Sequence, residues 1–390
     1  MPRIISAAVM AAAGASVFLL LPIIIGAAVD SLQWQQQRAG FLASSYFTGY
    51  FASCVAAVFL VRRFNLQILA TAAYFCVCTG LLAAALTHEV VALSLCMLVS
   101  GWGAGLLFGL AVLIVGHGAN SERGFGILLV SQQVTAMALL FVLPGYVVPQ
   151  WGFGGLMVAL GLFLATGILT VPWIGNSAAD QRATRSVNEA DRPSLSQPHR
   201  VWFGLSALAL YFAALAGVWA FVERMGLDGG MSSQWISLSL SLSMLGGVVG
   251  GLMVAILADR FGRSRPILLS LAAFLGVFIA YSIDYAALTY AVATFVFSLF
   301  WNYVLGYQMV LIADLDQVGR YSVLIPAAQA LGAVLGPGAA GFIIAGMGYL
   351  TLLLVAALTV SLTTGVFLLI VKAENARDDE LSRHSQQTTV

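Results

Sequence analysis

Charge is what this 390-residue sequence has least of. Charged residues make up only 8% of the chain, whereas apolar residues make up 61% and the mean hydropathy is +0.96. A soluble domain carries roughly 25% charged residues, so this chain cannot cover a water-facing surface, and we expect lipid to surround it. Its basic residues are scattered through short loops, which argues against a nucleic-acid partner.

Lysine and the usual catalytic signatures are also missing. Lys372 is the only lysine, so no phosphate-binding loop exists to drive an ATP-fuelled pump. His88-Glu89 has no second histidine at the zinc-protease spacing, and no Gly-x-Ser-x-Gly occurs, so we expect no enzyme. The cysteines lie inside apolar segments and none forms a Cys-x-x-Cys pair, so we expect no metal and no cofactor; they are Cys54, Cys76, Cys78 and Cys96.

Long apolar segments are what the sequence does contain. A bilayer span needs roughly 20 apolar residues, and its backbone must form its own hydrogen bonds, so each segment predicts a helix. The sequence therefore predicts an all-α membrane protein with twelve transmembrane helices, the first of them a true span rather than a removed signal peptide. The twelve segments are 5–29, 40–61, 66–87, 90–116, 124–148, 152–174, 201–222, 234–258, 266–283, 286–312, 321–346 and 349–371.

The basic residues indicate how the spans are oriented. With the N-terminus inside, every arginine and lysine except Arg38 and Arg224 lies on the inner side. Cytoplasmic loops carry such an excess of positive charge. We therefore expect a multi-pass protein of a cell inner membrane, with both termini in the cytoplasm.

An internal repeat divides the spans into two sets of six. Three pairs of residues share one offset of 197 positions: Arg63 with Arg260, Arg123 with Arg320, and Gln132 with Gln329. Repeats of this kind are typical of transporters, whose binding site lies between the halves. The expected organisation is a six-helix bundle in 1–174, a cytoplasmic linker in 175–200, a second bundle in 201–371 and a cytoplasmic tail in 372–390.

A short charged loop between the eighth and ninth spans carries the sharpest motif. Residues 257–265 read Leu-Ala-Asp-Arg-Phe-Gly-Arg-Ser-Arg, which resembles the signature loop of the major facilitator superfamily. The first-half counterpart, residues 60–65, lacks the acid and the glycine. The resemblance implies that this loop helps to hold the two halves together at the cytoplasmic face; the simpler alternative is a positive-inside anchor with a glycine turn. Its candidate gating residues are Asp259, Arg260, Gly262, Arg263 and Arg265.

The middle of the spans contains amides and aromatic rings but no ionisable side chain. An anionic solute would require buried arginine or lysine, so we expect a neutral, amphipathic or weakly charged organic solute. Buried amides need partners and should face the interior, although they can equally serve contacts between helices. The family geometry places spans 1, 4, 7 and 10 around a cavity. The candidate lining residues are Trp301, Asn302, Gln132, Gln133, Gln329, Tyr211, Trp219, Tyr303, Tyr307, Gln308, Trp102 and Tyr46.

Two acidic residues end equivalent spans and are candidates for coupling. Asp30 and Glu223 close the first and seventh spans, and a proton symporter needs a carboxylate that changes its exposure. The alternative is that both are solvated helix-end charges.

Together these features favour a secondary active transporter of the major facilitator type that works as a monomer. Its partners would be a small-molecule substrate, the lipid bilayer and protons. The alternatives are an exporter of amphipathic drugs or toxins with the same fold, and a membrane sensor that transports nothing.

Overall fold

The computed structural model describes residues 2–116, 121–174, 198–257, 260–283, 286–315 and 324–387, and every element in these ranges is helical. The predicted all-α class is therefore confirmed. The helices are α1 (Pro2–Leu19), α2 (Leu21–Leu32), α3 (Gln36–Arg63), α4 (Leu66–Ala84), α5 (Val90–Gly116), α6 (Ser121–Val142, continued by a π-helix Leu143–Val147), α7 (Val148–Ala165, continued by a 3₁₀-helix Thr166–Ile174), α8 (Pro198–Asp228), α9 (Ser233–Leu257), α10 (Ser264–Ile283), α11 (Ala287–Leu315) and α12 (Ile325–Gln387).

Two of these elements contain a sharp break at a glycine. Gly152 has φ 58° and Gly348 has φ 81°, values in the left-handed region that glycine adopts most readily. A straight helix as long as α12 would extend roughly 95 Å, about three times the hydrocarbon thickness of a bilayer. The chain therefore passes from one span to the next at each glycine, and the arrangement is consistent with the twelve expected spans.

The same helix contact occurs in both halves of the chain, which we call the first half (2–174) and the second half (198–387). Gly49 of α3 packs directly against the carbonyl oxygen of Leu98 in α5, with no room for a Cβ atom. Gly246 of α9 packs in the same way against the carbonyl oxygen of Phe295 in α11. Both residues of the second contact are offset by 197 positions from those of the first, the offset that relates the sequence repeats.

The halves meet along two helix pairs, α3 with α12 and α6 with α9, and where α2 crosses α8. In the first pair, a Cβ on Gly338 would lie 2.7 Å from Ser44 Oγ. In the second pair, Ser241 Oγ donates a hydrogen bond of 2.8 Å to the carbonyl oxygen of Met137. Small side chains thus let helices of the two halves approach closely.

Candidate solute site between the two halves

A cluster of aromatic rings joins the halves near mid-span. Phe18 of α1 lies 5.4 Å from Phe47, 6.0 Å from Phe212 and 5.7 Å from Trp301, measured between ring centroids. Phe212 and Trp301 also meet edge to face at 5.3 Å. Two of these rings come from the first half and two from the second, so the cluster changes whenever the halves move relative to each other.

A helix break beside the cluster supplies a polar contact between the halves. Pro22 has no backbone N–H, so the carbonyl oxygen of Phe18 loses its usual α-helical partner, and the helix breaks at Leu20. Trp219 Nε1 of α8 donates to that oxygen at 3.3 Å. The Trp219 ring also stacks on Phe297 at 6.2 Å. The predicted residues Trp219 and Trp301 therefore both contact this cluster.

Two amides from opposite halves converge next to Gly247 of α9. The position that a Cβ on Gly247 would occupy lies 2.8 Å from Gln133 Nε2 and 3.0 Å from Asn302 Nδ2. Gln133 is 5% exposed, and its Oε1 atom is buried without a hydrogen-bond partner. Asn302 Nδ2 donates to the carbonyl oxygen of Ser298 at 3.0 Å. The structure thus places Gln133 and Asn302, from opposite halves, beside the same glycine.

Several other predicted residues have buried polar atoms without a hydrogen-bond partner. Leaving a buried amide or hydroxyl unpaired costs roughly 1–3 kcal/mol, so such atoms are candidates to bind a solute or water. Both amide atoms of Gln308 are in this state, and so are Tyr46 Oη, Tyr211 Oη and Gln329 Nε2.

The remaining candidate residues differ in how deeply they are buried. Tyr303 and Tyr307 are buried and pack edge to face at 5.3 Å. Trp102 of α5 and Gln132 of α6 are half-buried. Gln132 precedes Gln133, and it is Gln133 that the structure brings against Gly247.

A charged cluster lies at one end of the molecule, which we call the Asp30 end, and it joins residues that the sequence places at separate helix ends. Arg224 is 6% exposed and forms an ion pair with Asp30 of the other half. It also donates to the carbonyl oxygen of Gly26 at 3.0 Å, and its Nε lies 3.3 Å from Glu223 Oε2. The sequence predicts Arg224 only as a residue of the outer side, whereas in the structure Arg224 contacts both candidate coupling acids.

The repeat explains why Glu223 fits at this crossing. Gly26 and Glu223 occupy equivalent positions, 197 residues apart, and face each other where α2 crosses α8. A Cβ on Gly26 would lie only 2.6 Å from the carboxylate carbon of Glu223. A side chain at position 26 would therefore force the Glu223 carboxylate to move from this place.

The opposite end, which we call the Arg263 end, carries the predicted signature loop. Arg263 forms an ion pair with Asp314 of the same half. Arg260, Gly262 and Arg265 are exposed, and Gly262 turns the chain with φ 65°. Asp259 lies outside the described residues. Within the described residues, no group of three or more His, Cys, Asp or Glu side chains is placed to hold a metal ion.

Comparisons with known proteins agree on one fold. The sequence model of the Major Facilitator Superfamily matches residues 5–316. The nucleoside transporter NupG superimposes with a TM-score of 0.77 at 15% identity, covering 95% of this chain and 100% of NupG. The xylose transporter XylE from E. coli, in a partially occluded inward open conformation, gives a TM-score of 0.72 at 13% identity, covering 93% and 97%. Comparison with curated proteins found no match.

Proposed function

Because the chain belongs to the Major Facilitator Superfamily, we propose that this transporter carries a small, uncharged or weakly charged organic solute by alternating access. The observation that carries the proposal is the meeting of Gln133 and Asn302, from opposite halves, beside Gly247. The geometry of a site built from both halves changes when the halves move relative to each other, as alternating access requires.

The chemistry of the site supports a solute without a full charge. The rings of the aromatic cluster can pack against the apolar face of a solute, and the amides can form hydrogen bonds with its uncharged polar groups. Arg224 is a buried cation, but the carboxylates of Asp30 and Glu223 already neutralise its charge. An anion at mid-span would have no comparable partner among the described residues.

The contacts between the halves at the Asp30 end support a conformation closed at that end. There, Arg224 bonds across the halves to Asp30 and to Gly26. At the Arg263 end, Arg263 forms an ion pair with Asp314 of the second half. We assign the Asp30 end to the outer face and the Arg263 end, with both chain termini, to the cytoplasm of a cell inner membrane.

Proton coupling through Asp30 or Glu223 is part of the proposal. The two carboxylates share Arg224, so opening the Asp30 end changes the surroundings of both. If one of them carries the coupled proton, the double variant D30N/E223Q should lose solute accumulation driven by a pH gradient. Solute exchange measured without a pH gradient should remain intact in the same variant. Accumulation that persists in the double variant would leave facilitated diffusion as the mechanism.

A thermal-shift screen tests the proposed site directly. The purified protein is melted with a library of metabolites and amphipathic drugs, because a true ligand stabilises the folded state by mass action. We expect uncharged hydrogen-bonding solutes to raise the melting temperature of the native protein and to lose this effect in N302A. Stabilisation by amphipathic drugs alone would favour an exporter, and a ligand that binds without flux across vesicles would indicate a sensor.

A further inference from the structure

Gly247 differs from the glycines that pack helices together. The three atoms nearest to its absent Cβ are Gln133 Nε2, Asn302 Nδ2 and, at 3.1 Å, Gln133 Cδ, all of them at the ends of side chains. For Gly250, one turn later, the nearest atoms all belong to the backbone of Leu299. Gly250 is therefore needed for α9 to approach α11, whereas Gly247 leaves space for two amides.

We propose that Gly247 is a positioning residue that sets where the Gln133 and Asn302 amides meet and thereby which solutes the site accepts. This inference rests on the proposed function, since it assumes that the amide pair contacts the solute. Gly247 itself presents no polar side chain and acts only through the space it leaves.

The free atoms of the pair indicate the chemistry of the solute. Gln133 Oε1 is buried without a partner and can accept a hydrogen bond, so it suits a solute that donates one there. Asn302 Nδ2 is already engaged with Ser298, which holds the Asn302 amide in a defined orientation. The pair thus suits an uncharged ring that carries a donor beside an acceptor, whether the hydroxyls of a sugar or the N–H and carbonyl of a nucleobase.

An alanine at position 247 would displace both amides at once. Ordinary contacts of a Cβ begin near 3.4 Å, so a Cβ at the observed 2.8 and 3.0 Å must push the amide nitrogens away. The amides must give way by a few tenths of an ångström, and a full misplacement of about 1 Å in such a constellation costs up to about a hundredfold in rate. The helices have no need to move, because the crowded atoms are flexible.

The test compares Gly247→Ala with Gly251→Ala in the full-length protein. Gly251 lies one turn further on the same helix and also faces α6, but the atom nearest to its absent Cβ is Leu129 Cδ2 at 2.5 Å. Each variant is made alone and in a Q133A/N302A background. Gly251→Ala thus makes the same glycine-to-alanine replacement in the same helix. Its new Cβ contacts the apolar side chain of Leu129 instead of the amides.

The first readout is thermal unfolding without any solute. The change in melting temperature caused by Gly247→Ala should be more favourable in the Q133A/N302A background than in the native background, by about 2 °C or more. The reason is that the double variant lacks the amides that the new Cβ would contact. The shift caused by Gly251→Ala should be the same in both backgrounds. If Gly247→Ala gives equal shifts in both, Gly247 is a packing glycine and the inference is overturned.

The second readout is release of solutes from vesicles, with uridine and D-xylose as the two labelled probes. Gly247→Ala should slow the transported probe at least tenfold or reverse the preference between the probes, whereas Gly251→Ala should preserve both rate and preference. A native protein that releases neither probe contradicts the solute class inferred here, while the melting comparison still decides the role of Gly247. Release that Gly247→Ala leaves unchanged also overturns the inference.

Discussion

At the scale of single residues, the site depends on which face of a helix each polar side chain occupies. Gln132 and Gln133 are neighbours in sequence, and the sequence favoured Gln132, the partner of Gln329 in the repeat, as the amide that faces the interior. The rotation of α6 decides between them, and it buries Gln133 against Gly247 and Asn302 while Gln132 stays half-buried. That rotation is set by packing against α9, which the sequence pattern of α6 alone does not encode.

Replacing Gln133 by methionine should weaken solute binding by about fivefold, because a hydrogen bond to the solute is worth roughly 1 kcal/mol. Methionine keeps the length of the side chain and removes both polar atoms. Titration of the solute by thermal shift or calorimetry checks this. The same change at Gln132 should weaken binding less, and an equal or larger loss at Gln132 would show that the amide pair is wrongly assigned.

At the scale of helices, backbone-to-backbone contacts at glycine fix how close the spans lie. The span pattern and the all-α class were predictable because apolar length and backbone hydrogen bonding leave few alternatives. The break of the first span at Leu20 was not predicted, although Pro22 is its cause. The bridging role of Arg224 also escaped prediction, because it arises only when α2 and α8 cross.

Alanine at Gly49 or Gly246 should destabilise the protein far more than alanine at Gly276. The added Cβ at the first two positions would collide with a carbonyl oxygen of the facing helix, which no side-chain rotation relieves. At Gly276 nothing lies within 4 Å. Yield of folded protein and melting temperature in detergent measure the difference. Gly49→Ala behaving like Gly276→Ala would contradict the α3–α5 contact.

Replacing Asp30 by asparagine should open the Asp30 end more often. The ion pair between Arg224 and Asp30 crosses the halves, and since Asp30 is largely exposed it is worth at most about 1 kcal/mol, or roughly fivefold in population. A cysteine introduced at Ser44 in a cysteine-free background reports the opening through its rate of labelling by a membrane-impermeant reagent.

The matched control for that experiment is Asp228→Asn. Asp228 also lies at the Asp30 end of α8, but it accepts a hydrogen bond of 2.7 Å from Tyr349 Oη within the second half. Its loss should leave the labelling rate at position 44 unchanged. Faster labelling in both variants would mean that the labelling rate reports a general loss of stability at this end and not the loss of the contact between the halves.

At the scale of the whole molecule, the repeat organises both the fold and the site. The contact of Gly49 with Leu98 and that of Gly246 with Phe295 share the offset of 197, as does the crossing of Gly26 and Glu223. The sequence repeat indicated two related halves, but it gave no information on their relative position. That relative position creates the aromatic cluster and the amide pair, and its change would carry the solute from one side to the other.

The central claim, transport by movement of the halves, is tested most directly by locking them together. Ser44 Cβ lies 3.7 Å from the position of a Cβ on Gly338, within the range of about 3.5–4.5 Å that a disulfide requires. The variant S44C/G338C, made without the four native cysteines, is reconstituted in vesicles loaded with a pool of uncharged metabolites, and the retained solutes are quantified by mass spectrometry. We predict that at least one solute escapes through the reduced protein, is retained after oxidation and escapes again after reduction. Escape that continues unchanged through the oxidised protein would contradict the account.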